Sequence, residues 1–315
     1  MRGLIFLVGC ALAAQTQVWI DTDPSVARGA KEVDDGIALL QAFASSEISI
    51  RGVSIVFGNA DLLTAERIGR ELVTKFGPRA LPVYVGAANA ANLGQETAAS
   101  RALAQALRQG RLTILVLGPA TNVATVIRNH PELLTKIDQI VAVAGRRPGQ
   151  RFATSDRQKI PFRDLNFELD AEAFRVLLAS KVKLVFAPWE ISSKVWLRRE
   201  DIRAAASKNK GVAWLRGAAE DWLDMWKGQF GADGFNPFDA LAVGFVVDRK
   251  LLQCDQFSAV VEMAPDDTSQ LAAPIQKPYL HVRPMSAGLR EVTYCYAPEA
   301  AFRDRLLERL SRINQ

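Results

Sequence analysis

The sequence predicts an α/β fold: an open, mostly parallel sheet flanked by helices, with a small antiparallel annex near the C-terminus. Three observations carry this. Short apolar runs alternate with longer helical patterns through most of the chain. Those runs lack polar alternation, which marks strands buried on both faces, as in βαβ units. Near the C-terminus three strand-like runs then follow one another closely, without helical crossovers between them.

In order, "VWI" (18–20) reads as the first strand and residues 35–45 as the first helix. "ISIRGVSIVF" (48–57) is a strand, "DLLTAERIGRELVTKF" (61–76) a helix, "LTILVLG" (112–118) a strand and "ATNVATVIRN" (120–129) a helix. "QIVAVAG" (139–145) and "VKLVFAP" (182–188) are further strands, separated by the helix "DAEAFRVLLAS" (170–180). The annex comprises "FSAVVEM" (257–263), "YLHVR" (279–283) and "EVTYCYA" (291–297), and "EAAFRDRLLERLSRI" (299–313) closes the chain as a helix.

The 315 residues are 49% apolar and 23% charged, an ordinary globular composition. The net charge of +5 is mild, and no basic block interleaved with aromatics suggests a nucleic-acid partner. "MRGLIFLVGCALAAQTQ" has the positive start, apolar run and small-residue site of an export signal. Residues 1–16 are therefore assigned to that signal and 17–315 to one domain, with an extracytoplasmic location expected. "LVGC" also resembles a lipobox, and lipidation at Cys10 ranks second. No transmembrane helix is expected elsewhere. Of the remaining cysteines, Cys254 and Cys295, buried free thiols are the favoured reading and a disulfide the alternative.

Chemistry concentrates at strand ends. Asp21 and Asp23 follow the first strand, Asn59 the second, and Gly118 to Asn122 the third; Gly145, Trp189 and Glu190 follow later ones. In a parallel sheet these positions share the carboxyl edge, where open α/β folds bind ligands. The stretch 19–40 also gathers four aspartates: Asp21, Asp23, Asp34 and Asp35. Clustered carboxylates need a counter-charge or must hold protons. Oxygen donors without nearby His or Cys favour a hard cation, Ca²⁺ or Mg²⁺. The simpler reading is that Asp34 and Asp35 serve only the N-terminus of the following helix.

"DTDP" followed by "DD", then "VFGN", "LGPATNVA", "DLNFELD" and "FDALAV", together resemble the inosine–uridine-type nucleoside hydrolases. The resemblance implies an open α/β fold, a Ca²⁺ ion at the base of the pocket, and hydrolysis of a ribonucleoside to free base and ribose. Matched by motif, Asp23, Asp35, Asp239 and the backbone carbonyl of Thr121 correspond to metal ligands. Asp34, Asn59 and Asn166 correspond to sugar-binding positions, and Asp164 stands where the family more often has Glu. Asp23 is the expected general base toward water, and Asp21 is expected to support its loop. Trp189 is a candidate surface for the base; Trp222 and Trp226 share a helix face, with core packing the default. The implied partner is a small nucleoside, and homo-oligomerisation is left open.

The chain departs from the family pattern twice. Nine residues, 25–33, separate "DP" from "DD" where the family spacer is shorter. An outward bulge is expected, carrying Arg28 and Lys31 to the pocket mouth. Phe238 stands where the family often has a His that helps protonate the leaving base. His130 and His281 read as structural, so the leaving-group acid is unassigned among Glu190, Asp233, Asn236 and solvent. The segment 146–163 carries six basic residues and one acid, raising the hypothesis of an anionic substrate. Two other functions compete: a non-catalytic calcium- and ribosyl-binding protein, and a haloacid-dehalogenase-like phosphatase with Asp21 as nucleophile.

Overall fold

The computed structural model describes residues 15–271 and 273–312. Most of the assigned export segment, including Cys10, lies outside the described residues; strand β1 begins at Thr16. In chain order the elements are β1 (Thr16–Thr22), α1 (Asp34–Phe43), β2 (Ile48–Ile55), α2 (Leu62–Phe76), β3 (Val83–Val85), α3 (Ala98–Gln109), β4 (Leu112–Val116), α4 (Thr121–Asn129), β5 (Ile137–Ala142), α5 (Leu165–Leu169), α6 (Ala171–Ala179), β6 (Leu184–Phe186), α7 (Trp189–Ser192), α8 (Arg199–Ala206), α9 (Lys210–Phe230), α10 (Ala240–Val247), β7 (Leu252–Pro265), β8 (Gln276–Arg283), β9 (Arg290–Pro298) and α11 (Phe302–Leu310).

The described strands form one sheet in the order β3-β2-β1-β4-β5-β6-β9-β7-β8. The first six in that order are parallel, and β9 joins β6 in parallel as well. β7 then pairs antiparallel with both β9 and β8, which forms the annex. The chain lays β2 and β3 on one side of β1, returns, and lays β4, β5 and β6 on the other. The carboxyl ends of β1 and β4 therefore flank the switch point, where adjacent loops diverge and leave a crevice.

Both sheet faces are buried, as the unbroken apolar strands require. In β1, Val18 and Ile20 enter the core beneath α1, α9 and α10, while Trp19 enters the opposite core with α3 and α4. β4 divides in the same way, Leu115 to the first core and Ile114 and Val116 to the second. The apolar runs outlast the ladders: Leu117 and Ala187 stay buried after β4 and β6 have ended. There the chain leaves the sheet and starts the loops that build the site.

The sequence reading assigned no element to β3, α3, α8 or α10. β3 is only three residues long. α10 is apolar on every side and wholly core, so its sequence carries no helical period and reads equally as a buried strand. A second correction concerns the cysteines. Cys254 in β7 lies opposite Cys295 in β9, and the two form a disulfide rather than free thiols. Register decides this: adjacent antiparallel strands bring the two Cα atoms to 3.9 Å. Among the described residues no helix is long and apolar enough to cross a membrane.

Candidate active site

Asp23 lies just past the end of β1, fully buried. Its backbone N–H donates to Asp35 Oδ1 at 3.2 Å, and its Oδ2 accepts the Asn59 backbone N–H at 2.6 Å. Its Oδ1 is buried without a hydrogen-bond partner. Two glycines make room for this carboxylate. A Cβ on Gly118 would stand 2.7 Å from Asp23 Oδ1, and one on Gly58 would overlap Oδ2.

Asp34 and Asp35 open α1, where unpaired amides and the helix dipole favour negative charge. Their place in the first turn suits the helix, but α1 has no side-chain cap bond, and both acids have further partners. Asp35 accepts the Thr22 hydroxyl through Oδ1 and Asn59 Nδ2, at 3.4 Å, through Oδ2. Asp34 Oδ1 accepts the Asp35 N–H at 3.1 Å. Asp239 sits at the N-cap of α10, 3% exposed, although it lies more than 200 positions away in the chain.

Burial first, and then mutual repulsion, raises these carboxyls. Asp23 is pushed well above the usual range by burial, then by the charge of Asp35. Asp34 is raised by burial and Asp35, and Asp239 by burial and then by Asp34, Asp35 and Asp23. Asp35 rises to about 6, burial outweighing its hydrogen bonds from Thr22, Asp23 and Asn59. Asp23, Asp34 and Asp239 each feel the charge of Asp35, and Asp239 also that of Asp34 and Asp23, so the aspartates share one local field. Without a cation, the arrangement favours protonation.

Above the aspartates opens a cavity of about 560 Å³, its floor formed partly by Glu32, Asp34, Asn59 and Asp239. Asp164, at the N-cap of α5, and Asn166, in its first turn, line another side. Asp164 accepts the Gly145 N–H at 2.8 Å and is raised to about 6, chiefly by burial. Asn166 Nδ2 donates to the Leu117 and Val143 carbonyls at 2.6 and 3.1 Å, which ties the β4 and β5 exits together. Much of the remaining wall is aromatic, with Phe152, Phe162, Trp189, Trp222, Trp226 and Phe238. Phe152 and Trp189 stack at 4.9 Å, and Phe162 packs on Trp226 at 5.5 Å.

The other residues singled out in the sequence have these partners. Thr121 starts α4 with its hydroxyl donated to Asp170 Oδ2 at 2.5 Å, while its carbonyl accepts the Thr125 hydroxyl at 2.8 Å. Asp21 lies below the pocket, accepting from Ser54 and from Asn122 Nδ2, and so clamps β1 to β2 and α4. Like Asp23 and Asp35, it is not among the residues that line the cavity. Glu190 accepts from Arg147 and from the Tyr294 hydroxyl, both at 2.9 Å, Asp233 is exposed, and Asn236 is buried against the Val195 carbonyl. His130 pairs with Glu96 and His281 with Glu262, outside the cavity lining.

The insertion bulges as expected, but it carries different residues to the pocket. Arg28 forks onto Asp221 of α9, at 2.6 and 2.9 Å, and Lys31 is exposed. Glu32 is the residue that reaches the floor: its Oε2 accepts Asn59 Nδ2 at 3.0 Å, and its other oxygen accepts the Asp34 N–H. Sequence reasoning missed it because a glutamate in an unmatched loop has no motif position. Carboxylate oxygens of Glu32, Asp34 and Asp35 lie within 4.8 Å of one another, a grouping that could hold a metal ion.

The segment 146–163 does overhang the pocket, mainly through apolar residues, with Arg163 beside them. Arg146, Arg147 and Arg163 are paired with Asp267, Glu190 and Glu168, and Arg151 donates to the Gln158 and Lys159 carbonyls. Its cavity lining includes Phe152, Ile160, Pro161 and Phe162. Half of the segment's basic residues are thus ion-paired within the protein, while Arg157 and Lys159 are exposed.

The family model described as "Inosine-uridine preferring nucleoside hydrolase" matches residues 18–277. The chain is 23% identical over 249 residues to the probable uridine nucleosidase 2 of Oryza sativa subsp. japonica, covering 70% of each protein. It is 27% identical over 195 residues to the pyrimidine-specific ribonucleoside hydrolase RihA of Citrobacter koseri, covering 53% of this chain and 60% of that one. In fold it is similar to the plant nucleoside hydrolase PpNRh1, with a TM-score of 0.76 at 19% identity over 95% of this chain and 99% of the other. A buried acidic floor beneath an aromatic wall, at the switch point of this fold, accompanies that match. The chain belongs to the inosine-uridine preferring nucleoside hydrolase family and is an N-glycosidase.

Proposed function

We propose that the protein is an exported, calcium-dependent hydrolase that cleaves ribonucleosides to ribose and free base. One observation carries the reading: Asp34 and Asp239 line the cavity, buried Asp23 and Asp35 share their field, and Asp23 Oδ1 has no partner. An all-oxygen donor set with this much negative charge fits a hard divalent cation. Asp23, Asp35 and Asp239, with the Thr121 carbonyl, would hold it. When bound, Ca²⁺ supplies counter-charge and makes a neighbouring water more acidic.

The protein's own groups account for the rest. Asp23 takes the proton from the attacking water. Asp34, Asn59, Asp164 and Asn166 hold the sugar hydroxyls and fix the anomeric carbon above the acidic floor. Positive charge grows on the sugar as the C–N bond breaks, and nearby carboxylates stabilise it. Trp189 and Phe152 supply a flat apolar face for the base. Phe238 carries no proton, so the base departs with a proton from solvent.

The Cys254–Cys295 pairing supports export, because disulfides persist in oxidising compartments. The test is a panel of nucleosides assayed for free ribose, with and without chelator. Ribose release abolished by chelator and restored by Ca²⁺ is the expected result. Binding of nucleosides without release of any product would support a non-catalytic binding protein, the reading that Phe238 favours.

A further inference from the structure

We propose that Glu32, delivered by the inserted residues 25–33, binds substrate and sets the sugar specificity of the pocket. It would do so by accepting a vicinal hydroxyl of the sugar together with Asp34. The inference rests on the ribonucleoside reading for the identity of the ligand, and on the following geometry for the assignment of the residue.

Glu32 lines the cavity beside Asp34 and Asn59. Its Oε2 lies 3.0 Å from Asn59 Nδ2, so it addresses the same amide that contacts Asp35. Its backbone is held on both sides. Ser25 Oγ donates to the Glu32 carbonyl at 3.2 Å, and Val26 and Val33 are buried. Arg28 and the Gly29 N–H fasten the loop to Asp221, the latter at 2.8 Å. The carboxylate is thus presented to the pocket by an anchored loop.

A carboxylate only accepts hydrogen bonds, and the oxygens of Glu32 and Asp34 lie within 4.8 Å of each other. Two acceptors that close need donors between them. Adjacent sugar hydroxyls supply donors to both, and bonds to charged acceptors are the stronger kind. A 2′-deoxy sugar supplies this pair with one donor fewer, leaving Glu32 only the Asp34 N–H and Asn59 Nδ2. A site built to bond a hydroxyl rejects the analogue that lacks it far more strongly than an apolar pocket rejects a missing methylene.

The experiment uses the full chain with Ca²⁺ and the substitutions Glu32→Gln and Glu32→Ala. It compares kcat/KM for a ribonucleoside with that for its 2′-deoxy counterpart, alongside Tm and Ca²⁺ affinity. Glu32→Gln should lower the ribo-over-deoxy ratio about tenfold or more, mainly through KM for the ribonucleoside, with Tm and Ca²⁺ affinity unchanged. An unchanged ratio overturns the proposal. So does a loss of Ca²⁺ affinity with equal loss on both substrates, which would make Glu32 a cation ligand. Calorimetry with ribose and 2-deoxyribose provides a readout independent of turnover. A ribose preference that Glu32→Gln abolishes supports the assignment even if no nucleoside is cleaved, an outcome that sinks only the hydrolase reading. A wild type with no ribose preference in either measurement overturns it.

Discussion

Asp23 and Asp35, twelve positions apart, are joined by a hydrogen bond of 3.2 Å from the backbone N–H of the first to the carboxylate of the second. The inserted loop therefore leaves the strand end and returns to it without separating the two acids. Neither residue needs the other to fold its own element: one ends a strand and the other begins a helix. Their meeting is a property of the crevice, and the first expectations follow from it.

Replacing Asp23 by Asn keeps the shape but removes the charge and the proton-accepting role. We expect kcat to fall by about 10²–10⁴-fold, the usual range for loss of a general base, and Ca²⁺ affinity to weaken. Steady-state kinetics and calorimetry on Asp23→Asn check this; near-wild-type turnover would exclude Asp23 as the base.

Gly118→Ala probes the same carboxylate from outside. The new Cβ would stand 2.7 Å from Asp23 Oδ1 and 2.8 Å from Val56 Cγ1, tighter than packed atoms tolerate. Because Asp23 Oδ1 has no hydrogen bond to hold it, the carboxylate should move first. We expect Ca²⁺ affinity and kcat both to drop by at least about tenfold, since small misplacements of reacting groups are costly. Wild-type affinity for Ca²⁺ in this variant would contradict the expectation.

The buried acids also set a pH dependence. Burial first raises Asp35 to about 6 and Asp21 to about 7, from an ordinary 3.8. Such groups hold more protons folded than unfolded, so their stabilisation is present at low pH and lost as pH rises through the folded value. In chelator, Tm should fall as pH rises from about 4 to about 7, and Ca²⁺ should recover more at the upper end than at the lower. Asp35→Asn should flatten the decline. Calorimetric scans that show Tm in chelator rising across this window would refute the argument.

The aromatic wall should act on the base and not on the sugar. Trp189→Ala removes the ring stacked at 4.9 Å on Phe152. We expect KM for nucleosides to rise roughly threefold to tenfold, as for loss of one aromatic pair, with ribose binding unaffected. Calorimetry with ribose, run beside the kinetics, distinguishes this from general damage to the pocket.

The disulfide closes a separation of 41 residues across the annex. Replacing both cysteines by serine should cost about 2–4 kcal/mol of stability, the range typical for such cross-links. Denaturant unfolding of oxidised protein and of the double variant measures it. Identical midpoints would mean the link contributes nothing.

Much of the architecture was legible along the chain, because burying a strand on both faces leaves a run of apolar residues that needs no partner to be recognised. β1, β2, β4, β5, β6 and the annex strands were readable in this way, and α1, α2, α4, α6 and α11 by their helical periodicity. The alignment of Asp23, Asn59 and Trp189 at one edge also followed, since parallel strands point their ends in one direction. α10 was not readable, because a helix that is apolar on all sides has no periodicity to betray it.

The sequence by itself thus determined the sheet, its carboxyl edge, and the acidic and polar residue types collected there. Only the tertiary structure decided that Asp239 enters the field of Asp23, that Glu32 reaches the floor while Arg28 is drawn off to Asp221, and that Cys254 faces Cys295. These depend on distances between segments far apart in the chain, and such distances are set by how helices and strands pack, not by any local pattern of residues.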